Sequence, residues 1–166
     1  MKMRGLFFVI TLISSFSLFS QQEDKRHLNV HFRVSNTFGE LTKLVIREIY
    51  ESGFKDTVFA EKANHSIHIP VNKHVLLEFI CEGHVTKRVA FNTDVPDDLK
   101  NIPFFNLVVE LVEKDFLMTL ENHEEIKTLM DFPVGYINFN SSEGSWYNSQ
   151  ENITKTINKL IKKSLK

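Results

Sequence analysis

Apolar and polar residues alternate with period two from Leu28 onward, where Leu28, Val30, Phe32 and Val34 are separated by Asn29, His31, Arg33 and Ser35. Successive side chains of a strand point to opposite faces, so this spacing predicts a strand with one buried face. Asn36-Thr37-Phe38-Gly39 supplies a turn, and the run from Leu44 to Tyr50 is β-rich but out of clean phase. Either phase of that run carries a charge, Arg47 or Glu48, which predicts an edge strand or a bulge. Ser52-Gly53 ends it. Thr57 to Ala60 reads as a short strand, and Ile67 and Ile69 alternate with Ser66 and His68 before Pro70 stops the run.

The clearest alternation runs from His74 to Glu82, with Val75, Leu77, Phe79 and Cys81 on one face. Gly83 permits a tight reversal into a partner strand from Val85 to Thr93. Further strands are expected from Phe104 or Phe105 to Val112, from Phe116 to Leu120 and from Val134 to Asn140. Strands at about ten-residue spacing without intervening helices predict an all-β, antiparallel sandwich of about seven strands. The C-terminus differs: Ile153, Ile157, Leu160 and Ile161 have the i, i+4, i+7, i+8 spacing of a helix with one apolar face. Ser149 is placed to act as its N-cap, and Lys155, Lys159, Lys162, Lys163 and Lys166 cover the remaining surface. The expected organisation is therefore a leader over residues 1–20, a sandwich over 21–148 and a basic amphipathic helix over 149–166.

The leader follows from Lys2 and Arg4, which precede an apolar run from Leu6 to Ile13 and then small residues up to Ser20. That layout predicts a secretory signal peptide, too short to span a bilayer and cleaved before Gln21, and hence a periplasmic or secreted chain without a transmembrane segment. Its removal takes away two positive charges and no acid, so the formal charge moves from −1 to −3. A near-neutral balance offers nothing to a nucleic acid. Cys81 is the only cysteine, so no internal disulfide is possible and stability must come from the core.

Several stretches together resemble one family. The segments LNVHFRVSNTFGEL, VLLEFICEGHVTKRVAFNTDVP, PFFNLVVELVE and PVGYINFNSSEGSWYNSQENITKTI look like secreted bacterial carboxypeptidase regulatory-like domains of the transthyretin-type β-sandwich class. Gly83, Lys87, Thr93, Val95 and Pro96 fit the family's pattern of a Gly-aromatic pair, a lysine-containing strand and Thr-x-Val-Pro, with His84 where tyrosine is usual. The resemblance implies a non-enzymatic binding or structural module of the cell envelope, with an envelope or secreted protein, or a carbohydrate, as partner and no cofactor.

Side chains that could carry binding or chemistry are few. His84 and Lys87 lie in the family-like hairpin, and Tyr136, Phe139, Trp146 and Tyr147 form an aromatic group able to serve as a platform or to pack the core. The competing expectation is a hydrolase or metal-dependent enzyme with a site near His65, His84 and the acidic turn of Asp94, Asp97 and Asp98. His65 and His68 are three apart on a strand and so face opposite ways, which works against a shared metal. The acidic turn lacks the ligand spacing of a calcium loop. Cys81 shares the phase of Val75, Leu77 and Phe79, as expected of a small core residue. No Gly-x-Ser-x-Gly elbow, His-Glu-x-x-His pair or phosphate-binding glycine loop occurs.

Overall fold

The computed structural model describes residues 26–36, 41, 43–60 and 64–165, so the leader at 1–20 and most of the turn at 36–39 lie outside the described residues. Among the described residues nine strands and three helices follow one another as β1 (His27–Asn36), β2 (Lys43–Tyr50), β3 (Gly53–Ala60), β4 (Asn64–Pro70), β5 (His74–Cys81), β6 (Lys87–Asn92), β7 (Phe105–Leu111), α1 (Lys114–Thr119), α2 (His123–Met130), β8 (Gly135–Asn140), β9 (Ser145–Asn148) and α3 (Glu151–Ser164). They build two sheets, one ordered β4-β1-β7 and the other β3-β2-β5-β6-β8-β9. The sheets face each other through the alternating residues of the sequence: Phe32 of β1 meets Phe79 of β5 with ring centroids 5.8 Å apart, and Phe91 of β6 meets Phe105 of β7 at 5.9 Å. Leu28, Val30, Ile46, Leu77 and Phe79 are fully removed from solvent between them.

The fold is thus the expected β-sandwich, with two strands more than expected and with mixed rather than purely antiparallel sheets. β1 runs parallel to β7, and β6 runs parallel to β8. Parallel neighbours need a long connection, and the chain between β6 and β8 supplies one by way of β7, α1 and α2. The run from Phe116 to Leu120, expected as a strand, belongs instead to α1 and its C-cap. Phe116, Leu117 and Leu120 satisfy helical spacing as well as a short apolar run, and periodicity alone does not separate the two over so few residues. Residues of α2 and β9 were not anticipated. In α2 the i, i+4 pair Ile126 and Met130 is buried, and in β9 a four-residue strand hairpins back from β8 through Gly144 at φ +62°.

β2 is neither an edge nor bulged, because β3 and β5 pair with it on both sides in unbroken register. Both of its charges are accommodated by partners. Arg47 points out and forks onto Asp56 of β3, with N–H···O distances of 2.8 and 3.0 Å. Glu48 points in and is 1 % exposed; its Oε2 accepts a 2.5 Å hydrogen bond from the Tyr50 hydroxyl, while Lys55 Nζ lies 3.3 Å from Oε1 without the alignment of a hydrogen bond. Burial, and then the bond to the Glu48 carboxylate, push the Tyr50 phenol well above its ordinary value of 10.0. The folded state therefore keeps a proton that the unfolded chain releases, so stability is full below about pH 10 and falls as the pH climbs above it. Tyr50→Phe is expected to lose about 1 to 3 kcal/mol at neutral pH and to show a flatter alkaline decline, read by urea unfolding across a pH series; a decline as steep in the variant as in the parent would refute this assignment.

The wider sheet extends past β7, and α3 covers part of what projects. α3 packs on β8 and α2. Ile157 is buried in the same apolar cluster as the sheet residues, with Ile153, Leu160 and Ile161 packed against it. The Thr154 hydroxyl donates to the Val134 carbonyl at 3.1 Å, and the Asn122 amide donates to Ser164 Oγ at 3.3 Å. The N-cap is Gln150 rather than Ser149. Ser149 is used elsewhere: its backbone N–H and its hydroxyl both donate to the Tyr136 carbonyl, at 2.8 and 3.2 Å. Among the described residues no helix is long and apolar enough to cross a membrane.

Candidate functional site

The hairpin between β5 and β6 holds the residues that the sequence singled out first. Gly83, at φ +76°, makes the reversal, and the chain then stitches to the segment leading into α1: the Val85 N–H donates to the Val112 carbonyl at 2.8 Å and the Lys114 N–H to the Gly83 carbonyl at 2.9 Å. His84 lies inside this stitch at 8 % exposure. Its Nδ1 is 2.9 Å from the Glu82 carbonyl, which can only accept, so Nδ1 carries the proton. Nε2 is then the acceptor for the Asn36 amide at 3.0 Å, and the same amide lies 3.4 Å from Glu113 Oε1. Nδ1 fixes the ring on the hairpin's own backbone and Nε2 ties it to Asn36 at the end of β1, which makes His84 a structural residue.

The other end of β6 carries the Thr-x-Val-Pro stretch, and it too is scaffold. The fully buried Thr93 hydroxyl lies 2.8 Å from the Pro70 carbonyl and 2.9 Å from the Lys73 carbonyl, and it accepts from the Lys73 N–H at 2.9 Å. Asn72, which holds a left-handed φ of 57°, takes the Val95 N–H on its side-chain oxygen at 3.3 Å. The stretch therefore clamps the turn between β4 and β5. Asp94, the variable residue within it, is exposed, and Asp97 pairs loosely with Arg26 at 3.8 Å. His84 and Asp94 thus sit at opposite ends of β6, and His65 lies on β4 with its ring 5.9 Å from Phe32. The structure does not bring His65, His84 and the acidic turn together. Among the described residues no three His, Cys, Asp or Glu side chains cluster closely enough to hold a metal ion. Cys81 is buried in the core, as its phase required.

The aromatic group divides between the two faces of the β8–β9 hairpin. Directly opposed residues share a face. Phe139 and Trp146 are opposed and stack edge to face at 5.1 Å, while Tyr147 is opposed to Asn138 on the other side, which Tyr136 shares. Trp146 is 9 % exposed and its indole N–H donates to the Pro103 carbonyl at 2.8 Å. Tyr136 and Tyr147 remain in contact with solvent. A single aromatic platform does not form, because the pleat sends neighbouring side chains of β9 in opposite directions.

Lys87 is the residue of the original group that faces an opening. It is in phase with the buried Val89 and Phe91 of β6, yet β6 lies inside the sheet between β5 and β8. The long stem runs across the gap between the sheets, and Nζ donates to the Glu110 carbonyl of β7 at 3.0 Å. Burial pulls the pKa of this ammonium down, against a smaller opposing pull from the Glu110 carboxylate. Beside it lies a cleft of about 280 Å³ where β7 ends one sheet and the other continues into β8. Val89, Leu107, Val134 and Ile137 supply apolar walls, and Asn148 and Thr154 stand at the α3 side. Sequence reasoning named Lys87 but could not find the cleft, whose walls come from four strands and a helix far apart in the chain. Compared with known proteins, this chain matches no family model, no curated protein and no solved structure.

Proposed function

We propose that this protein is a non-enzymatic binding module of a bacterial envelope or secreted space, of the carboxypeptidase regulatory-like, transthyretin-type class, and that its cleft holds an apolar group bearing an acidic end. The observation that carries the reading is Lys87. An ammonium has three protons to donate, and among the described residues one carbonyl accepts one of them. The charge is partly desolvated beside apolar walls, where an added anion gains more than it would in water. The location rests on Lys2, Arg4 and the apolar run behind them. The binding rather than catalytic character is supported by the use of His84, Thr93 and Cys81 as scaffold.

Titration with the fluorescent apolar anion 1-anilinonaphthalene-8-sulfonate, followed by competition with decanoate and with decanol, checks the ligand class. Saturable binding displaced by decanoate far better than by decanol is the expected result. Lys87→Met keeps the stem and removes the charge, and it is expected to weaken decanoate binding roughly tenfold or more with an unchanged melting temperature. Equal competition by acid and alcohol, or undiminished binding in the variant, would overturn the proposal.

A further inference from the structure

The outer face of the six-stranded sheet carries an ordered pattern that the cleft does not use. Residues opposed in register share a face, so the pairing defines rows running across the strands. One row is Asp56, Arg47, Glu78 and Arg88, on β3, β2, β5 and β6 in turn. Its charges alternate as minus, plus, minus, plus. Arg47 forks onto Asp56, and Arg88 Nε donates to Glu78 Oε1 at 2.8 Å. The row is flanked on one side by Val58, Val45 and Ile80, and on the other by Phe54, Ile49, Leu76 and Ala90. Phe54 and Val58 are 67 % and 55 % exposed. A face that sets two apolar rows around a charged one is unusual for a surface that meets only water.

We infer that this face packs against the same face of a second copy of the chain, about a two-fold axis that runs along the strands between β2 and β5. The charge order selects the axis. An alternating row of four reads with opposite signs when reversed about its midpoint. The rotation therefore sets Arg47 against the second copy's Glu78, and Asp56 against its Arg88. An axis along the row would instead lay each charge on its own counterpart, like upon like. Rotation about the strand direction also keeps every row at its own height, so apolar meets apolar: Ile49 faces Leu76, Val45 faces Ile80 and Phe54 faces Ala90. Aligned sheets pack in this way with their strands about 30° apart. Each charge keeps the partner in its own chain, so none is buried alone; the charges set register and the apolar rows supply most of the affinity. Four strands about 4.8 Å apart make a small contact, which places the dimer in the weak, concentration-dependent class. Tyr136 and Tyr147, on β8 and β9, lie beyond the overlap.

Sedimentation velocity of the purified chain over a concentration series, with circular dichroism to confirm the fold, tests this. The parent is expected to pass from monomer to dimer with rising concentration. Arg47→Glu and Glu78→Arg each create two like-charge contacts per dimer, so each variant alone is expected to self-associate roughly tenfold more weakly or worse. Mixed in equal amounts they restore opposite charges at both contacts, and a heterodimer of about parental affinity is expected. If either charge variant fails to fold, Val58→Asp on the exposed apolar row is read in its place and is expected to weaken the dimer. A parent that stays monomeric at every concentration, folded variants that dimerise as the parent does, or a mixture that fails to associate would each overturn the inference.

Discussion

Trp146→Ala is expected to lower the unfolding free energy by roughly 3 to 5 kcal/mol, in the range measured when a large buried side chain is cut to a methyl. The residue is 9 % exposed, packs edge to face on Phe139 and gives its indole proton to the Pro103 carbonyl. Truncation opens a cavity under β9 and leaves that carbonyl without its donor, two costs with the same sign. Tyr147, next in the chain, is 46 % exposed on the opposite face. Tyr147→Ala should stay within about 0.5 kcal/mol of the parent, the usual scale for a surface change away from special features. Urea unfolding of the two variants side by side checks both. Similar midpoints for the two would remove Trp146 from the core and return it to the role of a surface aromatic.

Ile157→Asp is expected to cost a similar amount, roughly 3 to 5 kcal/mol, because it places a carboxylate where no partner waits. Among the described residues Ile157, 5 % exposed, is the one α3 side chain in the buried apolar cluster, and Ile153, Leu160 and Ile161 flank it. A helix of fourteen residues is marginal alone in water, so α3 owes its order to this contact and to the sheet beneath. Lys159→Ala, on the solvent side of the same helix, serves as the control and should be close to neutral. An Ile157→Asp chain that melts with the parent would mean that α3 is not part of the cooperative unit. With a total stability of about 5 to 15 kcal/mol typical of single domains, either large variant removes a substantial part of it.

The strands that were legible are those with one buried and one solvated face. Residues 27–36, 74–81 and 105–111 alternate so regularly that their phase names the core residues directly, and the α3 stripe does the same at helical spacing. β2 was legible as a strand but not as an interior one, because its charges are satisfied by Asp56, Tyr50 and Lys55, which local sequence does not announce as neighbours. α1 and β9 are too short for a period to show. At the candidate site, Lys87 could be named from the hairpin and its phase, whereas the cleft beside it could not.

Read alone, the chain determined its β-rich class, the buried faces of its long strands, the core position of Cys81 and the apolar stripe of its last helix, whose docking on the sheet came from the structure. These depend on a period of 2 or 3.6 residues, and hydrophobic burial acts on that period wherever the segment lies. Only the tertiary structure decided that β6 neighbours β8 in parallel, that His84 is tied to Asn36, that the Trp146 indole reaches the Pro103 carbonyl, and that Lys87 borders a cleft. Those outcomes join residues tens of positions apart, and their free energies come from partners that no local pattern specifies.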